Sequence, residues 1–396
     1  MANPTNFKFK YPVNLTEFIT YDLDDLYVRR EIFSEGGLFG WGSGANGALG
    51  INATADRSSP VQTVSSGTNW EQVSSSTYFP TTTGIKSDGT LWLWGCGANG
   101  QLGNNSTLNQ SSPVQTVSTG TNWKQVTTGL AYTAALKSDG TLWLWGSGGT
   151  GQLGNNSTIT SSSPVQTVTT GANWYQVATG HSNSAATKND GTLWVWGCGA
   201  NGAIGNNSTI NRSSPVQTVS TGTNWKQVSV GFSNLASVKT DGTLWLWGCN
   251  LSGVLGNNSS VNQSSPVQTV STGTNWKQVS ITGYHSAAIK TDGTLWLWGD
   301  AAFGKLGTNA ATYHSSPVQT ISTGTNWKKV TTGWNHTAAI KTDGTLWLWG
   351  ENSCGTLGDN STINKSSPVQ SLVQGYNWKD VNAGCYNTFG IIEDCW

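Results

Sequence analysis

The stretch Gly333–Gly358 reads GWNHTAAIKTDGTLWLWGENSCGTLG, and its internal pattern decides the fold. At its centre, TLWLWG places Leu on one face of an extended strand and Trp on the other, so both faces are apolar, as a strand covered on both sides requires. Asp343-Gly344 just ahead supplies the positive φ of a tight hairpin, which makes TAAIK the antiparallel partner. Working outward, the same string recurs along the chain. A Trp-Gly pair stands at Trp41, Trp94, Trp145, Trp196, Trp247, Trp298 and Trp349; the first interval is 53 residues and each later one is 51. An Asn-Trp pair keeps step at Trp70, Trp123, Trp174, Trp225, Trp276, Trp327 and Trp378.

Each unit therefore carries four short strands, NWKQV, TAAIK, TLWLWG and SSPVQTV. Pro60, Pro113, Pro164, Pro215, Pro266, Pro317 and Pro368 open the fourth, where a missing N–H is tolerated at a sheet edge. Units whose two faces must be covered by neighbours close into a ring, so the spacing predicts an all-β, seven-bladed β-propeller with four-stranded antiparallel blades. The first unit begins at its third strand, Leu38 to Gly42, and the last stops after its second, near Gly390 to Ile392. Residues 38–64 are thus expected to complete the blade begun by residues 378–392, closing the ring by pairing of N- and C-terminal segments and removing open edges. This reading divides the chain into an N-terminal arm, residues 1–37, and a propeller, residues 38–396.

Composition narrows the function. With 50 Gly, 22 Trp, one Met and only 10% charged residues, the composition is far from that of an ordinary mixed α/β enzyme, which is not expected. Twenty basic and twenty acidic residues cancel, which removes the long-range field that gathers a polyanion; no nucleic acid and no membrane partner is expected. No apolar run approaches the ~20 residues of a membrane span, and MANPTNFKFKYPV has no apolar signal core, so neither insertion nor Sec export is expected. The six cysteines are too scattered for a disulfide framework; only Cys385 and Cys395, both in the final hairpin, raise the question of a pair. The four histidines, His181, His285, His314 and His336, form no ligand set with carboxylates, and no nucleophile triad or phosphate loop stands out. No metal, no cofactor and no catalytic residue is expected. Twenty of the 22 tryptophans occupy repeated positions and read as core; Trp334 is an exception.

The string at Gly333–Gly358 resembles the repeat of the regulator of chromosome condensation family, and the resemblance extends to all seven units, about nine tenths of the chain. It implies a seven-bladed propeller. It does not choose a function, because such proteins include a guanine-nucleotide exchange factor for a small GTPase and protein inhibitors of secreted bacterial enzymes. The family's histidine is kept only at His285 and His336.

In an antiparallel meander the loop after NWKQV and the loop after TLWLWG share one rim, while the TDG turns and GTNW connections share the other. The second rim is nearly invariant between units and the first varies. Its loops carry Tyr78, Phe79, Tyr132, His181, Phe232, Tyr284, His285, Trp334, Asn335, His336 and Tyr386, with Phe303, Lys305, Asp300, Glu351 and Cys354 after the Trp-Gly pairs. Aromatic, Asn and His side chains on one variable rim predict a contact surface, or, for some of them, caps of the central channel.

The arm is different in kind, holding 10 charged residues in its 37 positions against 30 in the other 359. FKFKYPV alternates as a strand does, and YDLDDLYVRREIF mixes acidic and apolar positions suited to docking. The LDDLYVRREIF run resembles N-terminal attachment segments of structural proteins in tailed marine phages. Its apolar and arginine residues, Phe7, Phe9, Tyr11, Tyr21, Leu23, Leu26, Tyr27, Arg29, Arg30, Ile32 and Phe33, are the expected attachment residues. The expectation from sequence is a non-enzymatic virion-associated adhesion protein, anchored to a virion component by the arm and offering the variable rim to a host surface protein or glycan. The alternative is a soluble, cytoplasmic regulatory or inhibitory propeller that binds a protein through the same rim.

Overall fold

The computed structural model describes residues 36–64, 69–118, 120–168, 171–220, 222–270, 273–322, 324–372 and 377–393. The arm residues Phe7 to Phe33, and Cys395, lie outside the described residues. Glu35–Trp396 forms one compact unit made of seven four-stranded antiparallel sheets. In the first blade the strands are Trp70–Ser75, Thr81–Lys86, Leu91–Gly95 and Gln110–Gln115, paired in that order. The seventh blade takes Trp378–Ala383 and Asn387–Ile392 from the end of the chain and Leu38–Gly42 and Arg57–Gln62 from its beginning. Leu38 faces Ile391 and Gly42 faces Asn387 across this seam, so the ring closes as the sequence predicts.

Three repeated devices hold the blades. In the hairpin turn, Asp88 Oδ1 accepts from Thr90 N at 2.9 Å and from Thr90 Oγ1 at 2.6 Å, and Trp92 Nε1 donates to Thr90 Oγ1 at 2.9 Å. The relay recurs through Trp143, Trp194, Trp245, Trp296 and Trp347. The hydroxyl bond holds the Asp88 carboxyl below its ordinary range. Between blades, Trp94 Nε1 donates to Ala48 O of the preceding blade, and Trp145, Trp196, Trp247, Trp298, Trp349 and Trp41 repeat this bond around the whole ring at 2.8–3.0 Å. A glycine lies flat on each such indole. At Gly50, with φ of +67°, a Cβ would come within 2.8 Å of Trp94 Nε1, so no other residue fits. The third device sets a lysine ammonium over two indoles, as with Lys239 Nζ at 4.5 Å from the Trp225 ring and 4.7 Å from the Trp245 ring.

The Asn-Trp strands are innermost and touch one another all round the channel, the last against the first. Their polar side chains form a ladder. Gln72 Nε2 donates to Val126 O at 3.1 Å and its Oε1 accepts from Val126 N at 3.0 Å. Gln125, Gln176, Gln227 and Gln278 do the same to the next blade. At the next two positions the chain carries Lys329 and Asp380, which form an ion pair instead, and Asp380 turns back to accept from its neighbour Val381 N at 2.8 Å. Lys329 keeps 36% of its side chain exposed, so water screens the pair and its net contribution is ~1 kcal/mol or less. Replacing both residues by Gln extends the ladder and is expected to leave the melting temperature unchanged or higher, while Asp380→Ala alone lowers it. A double-mutant cycle in denaturant checks this; a coupling above ~2 kcal/mol would make the ion pair, rather than the ladder, what holds this part of the ring.

Candidate functional site

Alternating strand direction puts the loop after each innermost strand and the loop after each Trp-Gly pair on one rim. Backbone bonds join the two sets, from Cys96 N to Pro80 O, Asp300 N to Tyr284 O and Glu351 N to Asn335 O. The first blade departs from the repeat here. Its loop between Ser75 and Thr81 has five residues where the second blade, between Thr128 and Tyr132, has three. These two extra residues account for the 53-residue interval, and they carry Tyr78 over the channel.

Tyr78 is the hub of an aromatic rosette. Its ring centroid lies 5.3 Å from His181, 5.9 Å from Phe232 and 5.3 Å from Trp334, side chains of the third, fourth and sixth blades. His181 and Phe232 lie 4.2 Å apart with their rings tilted by 42°, and Tyr284 from the fifth blade meets Trp334 edge-on at 5.0 Å. Tyr78 is half-buried as a residue, and its hydroxyl oxygen is shut off from solvent. Burial raises the phenol pKa above the tyrosine range and lowers that of His181. The channel also holds a polar cavity of about 250 Å³, lined by Thr127, Gln176, Thr179, Gln227, Ser280 and Lys329 among others.

A polar network flanks the rosette on the fifth and sixth blades. Lys305, buried with 1% of its side chain exposed, pairs with Asp300 Oδ2 at 2.7 Å and donates to Asn335 Oδ1 at 2.9 Å. Asn335 Nδ2 donates to Glu351 Oε2 at 2.8 Å, and Ser353 Oγ to Glu351 Oε1 at 3.0 Å. Burial lowers the pKa of Lys305 against the opposing effects of Asp300 and, more weakly, Glu351. Its ammonium lies 5.5 Å from the Tyr284 ring, which ties the network to the rosette.

The remaining predicted residues separate into two groups. Phe79, Tyr386 and Phe303 are exposed on this rim. Phe303 holds a φ of +61°, where the equivalent positions carry Asn46, Asn201 and Ser252; a bulky side chain there costs ~1 kcal/mol or more. Tyr132, His285 and His336 are buried at one repeated position and connect blades. Tyr132 Oη donates to Asn183 O, His285 Nε2 bonds Thr337 Oγ1 at 2.9 Å and His336 Nε2 bonds Thr388 Oγ1 at 2.9 Å. Their side chains are taken up by neighbouring blades and offer nothing to a partner, so the reading of these three as contact residues gives way to packing. Cys385 is a free thiol pushed up to about 12 by burial. Among the described residues, no group of three His, Cys, Asp or Glu side chains could hold a metal ion, and no helix is long and apolar enough to cross a membrane.

Burial lowers His336 to about 3 and His285 well below its ordinary value. The unfolded chain, with histidines near 6.5, then binds protons that the folded ring refuses. Stability from each is fully present above pH ~6.5 and falls as pH drops toward 3, with His336 alone removing about 2 kcal/mol by pH 5. The turn aspartates, depressed in the fold, act only below pH ~4. Melting temperatures between about pH 7 and pH 5 should therefore decline less steeply in His336→Asn than in the wild type; parallel profiles would contradict a neutral buried His336.

The Regulator of chromosome condensation (RCC1) repeat matches residues 35–79, 88–136, 139–187, 190–234, 241–289, 292–340 and 343–391. The chain is similar to the Ultraviolet-B receptor UVR8 of Arabidopsis thaliana, 30% identical over 336 residues that cover 83% of this chain and 76% of the receptor. Among solved structures, human WBSCR16 superposes with a TM-score of 0.79 at 21% identity, covering 90% of this chain and 99% of its own. Prp20p from Saccharomyces cerevisiae gives 0.80 at 17% identity, covering 92% and 93%. With a repeat matched in every blade and the ring closed on itself, this chain belongs to the Regulator of chromosome condensation (RCC1) repeat family.

Proposed function

We propose that this protein is a regulatory, non-enzymatic propeller that binds a partner protein through its variable rim. One observation carries the reading. Aromatic side chains from five blades converge over one end of the channel, while the other rim repeats the same turn chemistry blade after blade. Half-exposed aromatic side chains on rigid loops are what protein interfaces use as anchors, because they supply area at low entropic cost. Relatives support the reading: Prp20p has binding properties to Gsp1p and histones, and Kap60 has been crystallised bound to it. The virion-attachment reading rests on arm residues outside the described ones, and neither the propeller nor its relatives support it, so the protein-binding alternative is carried forward. Affinity capture from the source cells tests this, with the wild-type ring, a rosette variant and a variant of the invariant rim as baits. A protein retained by the first and third but lost from the second is the expected partner; equal capture by all three would refute the rim assignment.

A further inference from the structure

The chemistry of the rosette's surroundings goes one step further, resting on the reading of this rim as the partner surface. Acids stand directly after the Trp-Gly pair only in two adjacent blades, at Asp300 and Glu351, where the others have Ser43, Cys96, Ser147, Cys198 and Cys249. Their backbone N–H groups are tied to Tyr284 and Asn335, on the loops that carry two of the five rosette side chains, Tyr284 and Trp334. The charges of this network are sorted by depth. Its one cation, Lys305, is inside with 1% of its side chain exposed, whereas its partner Asp300 keeps 31% exposed. Lys305 neutralises Asp300. Glu351 has hydrogen bonds from Asn335 and Ser353 and feels the Lys305 charge only at a distance, with no ion pair of its own among the described residues, and it is only half-buried. Asp56, also on this rim, is exposed and caps Gly44 N at 2.9 Å, and Arg57 donates to its carbonyl at 3.3 Å. The mouth thus offers aromatic rings and, beside Trp334's own loop, a carboxylate with no ion pair among the described residues.

We propose that this mouth is a receptor for an arginine side chain presented by the partner protein. A guanidinium is planar, stacks on aromatic rings and donates in its own plane at the same time. It can therefore lie against the exposed Phe232 ring and the half-buried Trp334 ring while donating to the Glu351 carboxylate. A lysine ammonium satisfies the charge but neither the stacking nor the fork. Glu351 selects the charge, and Asn335 and Ser353 hold its carboxylate in place.

The test uses the whole protein and N-acetylarginine amide as probe, with the neutral N-acetylcitrulline amide beside it. The indole N–H resonance of Trp334, identified by its loss in Trp334→Phe, should move on titration with the arginine amide. Citrulline should bind about tenfold more weakly or worse, and Glu351→Gln, which keeps an acceptor for Asn335, should reduce the arginine response to the same degree. If arginine amide leaves Trp334 unmoved, or citrulline and Glu351→Gln do as well as their counterparts, the arginine assignment is overturned. The rim reading would still stand, provided partner capture continues to require the rosette. If capture does not require the rosette, the rim reading itself falls.

Discussion

Deleting residues 38–64 is expected to abolish the soluble, folded ring. The lost segment supplies Leu38–Gly42 and Arg57–Gln62, the two outer strands of the seventh blade, and with them the partner of Asn387–Ile392. Leu38, Phe39, Trp41 and Leu49 are fully buried, so their removal uncovers the apolar faces of both neighbouring blades. Two members of the Trp-to-carbonyl ring go as well, Trp41 to Thr356 and Trp94 to Ala48. What remains is an open arc with an unpaired apolar strand at its end, a template for edge-to-edge association. Size-exclusion chromatography should show soluble aggregate or no soluble protein. Deleting residues 1–35 is the matched control, since every contact described for the ring lies within residues 36–393; this product should stay monodisperse with a cooperative melt. A folded monomer from the 38–64 deletion would mean that six blades close without the seventh.

The ring was legible in the sequence because each blade-forming signal is local and repeated: Asp-Gly turns, a strand apolar on both faces, a proline at the edge. Its closure could be read too, since a unit that starts at its third strand and one that ends at its second leave one blade to share. The rosette was legible only in part. Tyr78, Phe232, Tyr284 and Trp334 could be placed on the variable rim from loop position. Which of them meet depends on how far a loop reaches across the channel, and the sole signal for that was the 53-residue interval, whose two extra residues carry Tyr78 to the centre. His285, His336 and Tyr132 misled for a related reason. They adjoin the variable loops in sequence, yet each is the first residue of its strand and points into the next blade, where it bonds Thr337, Thr388 and Asn183 respectively. The Gln ladder could have been read from the Gln of every NWKQV and its loss at Lys329 and Asp380. The pairing of Lys305 with Asp300 could not, because their approach depends on a three-residue turn whose conformation lies in its backbone and not in its letters.

The largest effect on binding is expected from replacing Tyr78, Phe232 and Trp334 together by Ala. Interface aromatics typically contribute ~2 kcal/mol or more each, and their effects do not add fully. The combined loss of affinity for the captured partner should still be at least about 100-fold, measurable by calorimetry or surface binding. The cost to the fold is smaller. Phe232 is 39% exposed, and the blade-to-blade bonds of the tryptophan ring and the Gln ladder lie elsewhere. Rosette pairs are worth ~0.5–1.5 kcal/mol apiece, so the melting temperature should fall by only a few degrees in a unit of this size. The control on the opposite rim must avoid Lys239, Lys290 and Lys341, which are packed between indoles; Lys226 and Lys277 are exposed and suitable. Lys226→Ala with Lys277→Ala should leave binding intact. Should the triple variant bind normally, the partner surface lies on another face. Should it unfold, the rosette is a structural plug of the channel, and the aromatic convergence that carries the functional reading is explained by packing alone.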